Sequence, residues 1–409
     1  MVETVKRISE PFKLANRKFH PKDTIIEAGN ARIGGRGGIH AMIRTVADRT
    51  DTAVVCGNHI NAHTLVRNLE RLGWTGRLAL MRHRSEAPGL AVRLNPQVEH
   101  WAVDARTTAE IPELIEERYG REGLVWVFFT DERYHEAFAE WARRHSASSL
   151  RFHLGSAAHM QAVLDRYEFC RFIADRRLAS VPRTIRGEED PFAAFGESFI
   201  VRPRLSWFGV AQRERVKLVR GREEYQAALA SFASRGLGIA DLSYQELLSI
   251  RNQDNVSICG WHGPSVRHLY CSRKVLQYPP ETGGGDVVER LSPPPGVMEQ
   301  AQGILAALAY EGPFELEFVF DEKAGEFKVT ELNPRFWLQQ GLIEAVSGRA
   351  LVSTYLGWEP QPTTAAERNL RYWVNPLYTV FRLLRGDARS LRCFCSRRAW
   401  TPFSISDAV

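Results

Sequence analysis

The sequence contains no lysine between Lys22 and Lys217, an interval of almost half the chain. Any phosphate-binding role in this interval must therefore fall to arginine, whose planar guanidinium also matches phosphate oxygens. Long apolar runs are absent too, and the first twenty residues are charged and lack the apolar segment of a signal peptide. We therefore expect no membrane as a partner and predict a cytoplasmic location.

Cysteine is scarce and scattered. The six residues include no Cys-x-x-Cys pair, and only Cys393 and Cys395 lie close together. This pattern argues against structural zinc and against a disulfide framework, so reduced thiols are expected. The formal net charge of +6 is spread along the chain, without a basic run that alternates with aromatic residues. It does not favour nucleic acid as a partner, and an anionic nucleotide substrate explains it equally well.

The chain is too long for one ordinary core, and its pattern divides it into three parts. Residues 1–50 form an amino-terminal extension whose glycine-rich stretch, Ile33 to Gly38, lacks the spacing of a phosphate-binding loop. Residues 51–150 alternate short apolar strands with helical patterns, which predicts a parallel sheet. Residues 151–409 combine helices with antiparallel strands and carry the candidate site.

Asn58 and His59 directly follow the first predicted strand of the parallel sheet, residues 52–56. Ligands of such sheets gather at the carboxyl ends of the strands, which makes this pair a candidate for substrate contact. Turn and helix-cap roles are the commoner use of these residue types. The sequence leaves both interpretations open.

Acidic and amide side chains alternate with apolar ones in two short segments, Glu315 to Asp321 and Thr330 to Arg335. Residues two apart in a strand share a face, so Glu315 and Glu317 point together, as do Glu331 and Asn333. Oxygen ligands on neighbouring strands suit a hard, phosphate-bound cation such as Mg²⁺. The competing interpretation is a hairpin with a solvated acidic face.

The Glu331-Leu-Asn333-Pro-Arg335 segment resembles the metal-binding signature of the ATP-grasp superfamily, in its ATP-dependent carboxylate-amine ligase branch. The resemblance implies an α/β (α+β) ATP-grasp fold. It implies a Rossmann-like pre-ATP-grasp domain over residues 51–150 and an ATP-grasp domain with a helical cap over 151–409. It assigns magnesium to Glu317, Glu331 and Asn333, with Glu315 as an alternative ligand, and it places Arg335 on the phosphates of ATP.

Two family lysines that bind phosphate are arginines in this sequence. The helical pattern of residues 155–178 carries Arg166 at one of these positions, and the predicted strand before Pro203 carries Arg202 at the other. The charge is retained, but a compact ammonium becomes a wider fork. The segment after Arg202 has one glycine where the family has a glycine-rich flap. Lys274, in an Arg-Lys pair that also resembles the family, is the remaining lysine expected on the phosphates.

The segment Leu242 to Leu248 resembles the strand on which adenine lies in this family. The resemblance assigns adenine to backbone groups of Glu246 and Leu248 and to the side chain of Gln245. It assigns the ribose hydroxyls to Asp254. An amphipathic helix end followed by a polar turn is the alternative for the same residues.

The resemblance implies a ligase that uses ATP and Mg²⁺ to join a small carboxylate to an amine, with an amino acid or a peptide as the expected substrate class. An acyl phosphate is the expected intermediate, and a homodimer is compatible with the family. Three alternatives stay open: a nucleotide-binding protein with impaired catalysis, an enzyme with a different acyl acceptor, and a basic RNA-binding protein.

Overall fold

The computed structural model describes residues 51–145, 148–155, 157–205, 216–250, 255–278 and 284–402, and all of these belong to one compact unit. Several predictions from the sequence lie outside the described residues. They concern the extension 1–50, most of the flap after Arg204, and Asp254. The proposed boundary at residue 150 stays a prediction.

The first part of the described chain is a five-stranded parallel sheet with the strand order β3-β2-β1-β4-β5. Its central strands, β1 and β4, are short apolar runs, and β1 is buried over its whole length, as strands covered on both faces require. The alternation predicted from the sequence is confirmed. The elements are β1 Thr52–Cys56, α1 Ile60–Arg71, β2 Arg77–His83, α2 Leu90–Leu94, β3 Glu99–Val103, α3 Ile111–Tyr119, β4 Val125–Phe129, α4 His135–Arg144 and β5 Leu150–Arg151.

Asn58 has a structural role in this sheet. Its side-chain Nδ2 donates to the carbonyl oxygen of Ala87 at 2.7 Å, and its Oδ1 accepts from the backbone N–H of Gly89 at 2.7 Å. His59 is exposed at the start of α1 and makes no side-chain cap. Asn58 therefore holds the neighbouring loop in place.

The second sheet is antiparallel, with the order β6-β9-β7-β8 and a small core around Phe199, Phe232 and Tyr244. The helical pattern predicted over 155–178 is confirmed in part, because two helices, Met160–Leu164 and Arg166–Asp175, divide it at Asp165. The backbone of Asp165 is extended, and its side chain accepts from the N–H groups of Tyr167 and Glu168, so it ends one helix and caps the next. The elements are α5 Met160–Leu164, α6 Arg166–Asp175, β6 Thr184–Arg186, α7 Pro191–Phe195, β7 Ser198–Pro203, β8 Lys217–Arg220, α8 Arg222–Ala233 and β9 Leu242–Glu246.

The third sheet has seven strands in the order β14-β13-β10-β11-β12-β15-β16. The predicted helical cap is only partly correct, because two short strands, β15 and β16, return to the edge of this sheet after the helices. The strands are β10 Asn255–His262, β11 Arg267–Tyr278, β12 Gly284–Leu291, β13 Gly312–Asp321, β14 Glu326–Asn333, β15 Tyr372–Val374 and β16 Ala399–Trp400. The helices are α9 Val297–Ala307, α10 Gln340–Val346, α11 Ala350–Leu356, α12 Ala365–Arg368, α13 Pro376–Leu384 and α14 Leu391–Phe394.

Aromatic packing joins the first and third sheets. The ring of Phe128 on β4 stacks on that of Tyr355 on α11 with centroids 4.5 Å apart, and Phe336, just after β14, lies 5.7 Å from Tyr355. A backbone hydrogen bond of 3.1 Å runs from the N–H of Phe336 to the carbonyl oxygen of Phe129. The carboxyl end of β4 therefore lies beside the carboxyl end of β14.

The cysteines and the described helices give two further observations. All six cysteines are free thiols, and four of them are buried. Among the described helices, none combines the length and the apolar character needed to cross a bilayer.

Glu344 is a fully buried carboxyl group on α10 that caps the next helix. Its two carboxylate oxygens accept from the backbone N–H groups of Leu351 and Val352 at 3.2 and 3.0 Å. Burial raises the pKa of Glu344 from 4.5 to about 8, although these N–H groups and Arg349 act in the opposite direction. The folded protein therefore holds a proton on this group over a pH range in which the unfolded chain does not.

Stability should depend on pH through Glu344. Because its pKa is raised in the folded state, its contribution is fully present below pH 4.5 and is lost as the pH rises through 8. Glu344→Gln keeps an acceptor oxygen but cannot ionise. We expect the melting temperature of the variant, relative to the unsubstituted protein, to be higher at pH 9 than at pH 5 by about 2–4 °C.

Glu359→Gln is the matched control, because Glu359 is exposed and nearby in sequence. Its melting temperature should equal that of the unsubstituted protein at both pH values. An identical pH dependence in Glu344→Gln and the unsubstituted protein would contradict the assignment.

Candidate active site

The β13–β14 hairpin presents its acidic face as the sequence predicts. Glu315 pairs with Asn333 and Glu317 pairs with Glu331 across the two strands. Leu316 and Leu332 alternate with them and lie in the core, where Leu316 is fully buried. Four oxygen-bearing side chains therefore occupy facing positions on one surface of the hairpin.

A β-bulge keeps this arrangement compatible with the core. Val329 and Leu332 are three residues apart and would point in opposite directions in a regular strand, yet both are buried. The register shifts between Glu317 and Phe318, so that Thr330 is the extra residue on β14. The bulge lets both apolar side chains enter the core while Glu331 stays on the acidic face.

Glu331 lies between two arginines of the second sheet region. Its Oε2 accepts from Arg166 Nε at 3.1 Å and from Arg202 Nη2 at 2.8 Å. Burial alone would raise the pKa of Glu331, but the two guanidinium groups hold it well below its ordinary value. Burial and the charge of Arg166 lower the pKa of Arg202 to about 10, so Arg202 stays protonated at neutral pH.

Asp165 fixes the position of Arg166. Besides capping α6, its Oδ2 accepts from Arg204 Nε at 2.9 Å. The backbone N–H of Arg166 donates to the carbonyl oxygen of Arg204 at 3.0 Å. The start of α6 is thereby tied to the end of β7, which brings Arg166 and Arg202 to the same carboxylate.

Lys274 on β11 makes the second ion pair of the acidic face. Its Nζ lies 2.6 Å from Oε2 of Glu317. Burial lowers the pKa of Lys274, but the carboxylates of Glu317 and Glu315 outweigh it and raise the pKa above its ordinary value. Lys274 therefore lies against the acidic face of the hairpin, and its role on phosphate stays a prediction.

Glu315 differs from the other two carboxylates because it contacts an amide. Its Oε2 accepts from Asn333 Nδ2 at 3.4 Å. Burial and the neighbouring charge of Glu317 raise the pKa of Glu315 to about 7. Glu315 and Glu317 are thus close enough for the charge of one to destabilise the charge of the other.

Arg335 connects the hairpin to the first sheet through Glu132. Its Nε donates to Oε1 of Glu132 at 2.8 Å, and its Nη2 donates to Oδ1 of Asn333 at 3.3 Å. Glu132 lies in the turn after β4 and is buried. The sequence interpretation missed Glu132, although its place at the carboxyl end of the strongest buried strand is a signal that could have identified it.

The predicted adenine segment is a strand, which rules out the helical alternative for Leu242–Glu246. The side chain of Gln245 accepts from Arg202 Nη1 at 3.5 Å and donates to Thr184 Oγ1 at 3.1 Å. The side chain of Glu246 accepts from Lys328 Nζ at 2.6 Å. Leu248, just beyond the strand, is half-buried.

Lys328 is a second residue that the sequence interpretation missed. Its Nζ lies between the carboxylates of Glu246 and Asp321, at 2.6 and 3.0 Å. It stands on β14 two residues beyond the turn, and only its position in a lysine-poor chain marks it in the sequence. Lys328 links the turn end of the β13–β14 hairpin to the predicted adenine strand.

The oxygen donors fit magnesium by chemistry but are engaged with other groups. Carboxylate and amide oxygens are the ligands that Mg²⁺ prefers, and Glu315, Glu317, Glu331 and Asn333 carry them at facing positions of the hairpin. Within the described ranges, no group of three or more Asp, Glu, His or Cys side chains converges on one point. Binding of a metal ion by Glu317 and Glu331 would require these carboxylates to leave Lys274 and the two arginines.

A small cavity lies where these groups meet. Most of its apolar side chains come from α5 and α6. Its polar side chains come from α6, from Glu132 in the turn after β4, and from the hairpin. The lining residues are Glu132, Val163, Leu164, Arg166, Phe169, Glu331, Leu332, Asn333 and Pro334.

Comparison with known proteins gives a short sequence match and several structural ones. No protein-family model matches the chain. A stretch of 33 residues is 52% identical to part of phospho-2-dehydro-3-deoxyheptonate aldolase from Thermotoga maritima. The match covers 8% of this chain and 10% of the aldolase, so it says nothing about the described fold.

The solved structures that match cover most of the chain at low sequence identity. Carboxyaminoimidazole ribonucleotide synthase from Aspergillus clavatus, complexed with ATP, has a TM-score of 0.57 and 13% identity over 75% of this chain and 77% of its own. L-amino acid ligase from Bacillus licheniformis has a TM-score of 0.54 and 14% identity, with coverages of 76% and 75%. Biotin carboxylase from Campylobacter jejuni has a TM-score of 0.55 and 16% identity, with coverages of 77% and 72%. The chain therefore has the ATP-grasp fold, as the resemblance of its hairpin motif predicts.

Proposed function

We propose that the chain is an ATP-dependent ligase that joins a small carboxylate to an amine through an acyl phosphate, with release of ADP and phosphate. The observation that carries the proposal is the meeting of three cations, Arg166, Arg202 and Lys274, with the carboxylates of Glu317 and Glu331 on one hairpin face. A site that holds both a triphosphate and its metal needs cations and carboxylates in this proximity. The shared fold with an ATP complex and an amino acid ligase is consistent with it.

The cations and carboxylates neutralise each other when no nucleotide is bound. The phosphates of ATP would bind Arg166, Arg202 and Lys274. Mg²⁺ would then bind the carboxylates of Glu317 and Glu331, which these cations release. When bound, Mg²⁺ would neutralise phosphate charge during phosphoryl transfer. Glu317, Glu331 and Asn333 are its proposed ligands, with Glu315 as the alternative. Nucleotide and metal binding should therefore be strongly coupled.

The proposed reaction balances without a protein nucleophile. An oxygen of the substrate carboxylate attacks the γ-phosphorus, and the bond from that phosphorus to ADP breaks. The amine nitrogen then attacks the acyl carbon, the bond from this carbon to phosphate breaks, and the amine loses a proton. Arg202 and Lys274 would stabilise the negative charge that develops on the phosphate oxygens. Arg335, oriented by Glu132, would act at the same phosphates.

The adenine would lie along β9. Backbone groups of Glu246 and Leu248 and the side chain of Gln245 are its proposed partners, and Asp254 would bind the ribose. Because Gln245 also contacts Arg202, adenine and phosphate recognition would share one hydrogen-bonded network.

The direct test is a screen for ADP formation over amino acids, peptides and small organic acids with a panel of amines, with product masses recorded. We expect ADP release that depends on both substrates and a product whose mass equals that of acid plus amine minus water. ATP binding by calorimetry without ADP release under any condition would favour the nucleotide-binding alternative. Arg166 and Arg202, which stand where the family has lysines, are the specific observation behind that alternative.

Glu331→Gln should abolish ADP formation while the fold is retained. The loss should be at least about 10²-fold, because a proposed metal ligand loses its charge. The variant should also melt at a lower temperature, since two buried guanidinium groups lose their shared carboxylate. ATP in the presence of EDTA should raise the melting temperature more in the variant than in the unsubstituted protein, because phosphate replaces the missing charge.

Glu326→Gln is the matched control, since Glu326 is exposed at the turn end of the same hairpin. It should behave as the unsubstituted protein does in both assays. Full activity in Glu331→Gln would remove the metal assignment.

Arg202→Lys should keep or raise the affinity for ATP. The substitution restores the residue type of the family and retains the charge, while it removes the Nη contacts to Glu331 and Gln245. Calorimetric titration with a non-hydrolysable ATP analogue measures the effect. Arg202→Ala, which removes the charge, should weaken binding by about tenfold or more. A complete loss of binding in Arg202→Lys would show that the planar guanidinium is required.

A further inference from the structure

The second sheet has a polar face opposite its own core. Thr184 on β6 lies directly across from Gln245 on β9, and Arg202 on β7 shares their face. Val201 and Tyr244, which alternate with them along the strands, are fully buried in the core on the other face. Gln245 is only 4% exposed, so its side-chain amide needs hydrogen-bond partners inside the protein.

The hydroxyl group of Thr184 fixes one end of this amide. Its single proton is donated to the carbonyl oxygen of Pro182 at 2.9 Å, so the hydroxyl oxygen can only accept a hydrogen bond from Gln245. The amide atom that lies 3.1 Å from this oxygen is therefore the nitrogen, Nε2. The oxygen of the amide must point the other way.

Arg202 imposes the same orientation from the other end of the amide. A guanidinium group has donors and no acceptor, so the amide atom that faces it must be the oxygen. Oε1 of Gln245 lies 3.5 Å from Nη1 of Arg202. Two partners therefore agree on the orientation, and a second lone pair of Oε1 can accept a further hydrogen bond.

Binding of a nucleotide would leave Thr184 as the constraint that remains. In the proposed function the phosphates bind Arg202, which would weaken its contact with Oε1, a contact already at the long limit of a hydrogen bond. Thr184 is not among the groups proposed to bind phosphate, so its hydrogen bond with Nε2 would persist. The amide would then keep its orientation and its oxygen would be released to accept from the base.

We propose that Thr184 is a positioning residue for base recognition, which holds the amide of Gln245 with Oε1 available to the base of the nucleotide. The inference rests on the proposed function, in which that base lies along β9. An acceptor at this place binds the exocyclic amine of adenine and repels the carbonyl oxygen that other purines carry instead. Thr184 would thus act on the choice of nucleotide through Gln245.

Calorimetric titration with ATP and with inosine triphosphate, which carries a carbonyl oxygen in place of the amine, measures this choice. Thr184→Val keeps the shape of the side chain and removes the hydroxyl, so the amide of Gln245 can turn its nitrogen toward the base. We expect the ratio of the two dissociation constants, that for inosine triphosphate over that for ATP, to fall by about tenfold or more. Thr184→Ser is the matched control, since it retains the hydroxyl and should keep the ratio of the unsubstituted protein.

A second background separates positioning from general damage to the fold. Gln245→Glu has an oxygen at both ends of its side-chain carboxylate, so the orientation of this group no longer matters. Thr184→Val added to Gln245→Glu should therefore leave the ratio unchanged, although the same substitution lowers it beside Gln245. Thermal unfolding checks that each variant folds, and Thr184→Ala, which removes the same hydroxyl, replaces Thr184→Val if the latter does not.

The results distinguish this inference from the proposed function. A protein that binds neither nucleotide overturns both. Binding of ATP with the same ratio in Thr184→Val and the unsubstituted protein overturns the role of Thr184 alone, as does an equal fall of the ratio in both backgrounds. Equal affinity of the unsubstituted protein for the two nucleotides likewise overturns the role of Thr184 and leaves the ligase proposal standing.

Discussion

The partly buried contact of Glu331 with Arg166 and Arg202 is the constraint on which the site depends. A carboxylate in this environment needs opposite charge close by, and both arginines come from distant segments, 165 and 129 residues away. The three side chains join α6, β7 and β14 at one point. The same contact pairs the charges that we propose to bind a triphosphate and its metal ion.

A parallel contact brings the first sheet into the site. Arg335 and Glu132 are 203 residues apart in sequence, and their 2.8 Å ion pair links the end of the hairpin to the end of β4. The ring of Phe128, near the end of β4, stacks on that of Tyr355 and packs beside this junction. Since all three sheets contribute to one cluster of charges, a shift of any sheet would alter the spacing of cations and carboxylates.

Arginine in place of lysine has a structural consequence in this arrangement. The guanidinium of Arg166 reaches Glu331 with Nε and the carbonyl oxygen of Pro203 with Nη1, at 3.1 and 3.3 Å. Arg202 likewise reaches Glu331 and Gln245 with different nitrogens. A lysine ammonium could not bridge these acceptors with the same planar geometry. The two guanidinium groups therefore stabilise this arrangement of α6, β7 and β14.

The sequence by itself determined the acidic face of the hairpin, the parallel sheet and the arginines of the lysine-free interval, because strand alternation and residue chemistry are local properties. It did not determine the break at Asp165, the bulge at Thr330 or the roles of Glu132 and Lys328. The sequence also does not decide between Glu315 and Glu317 as the proposed metal ligand. Those features depend on which distant segments meet, and only tertiary packing sets that.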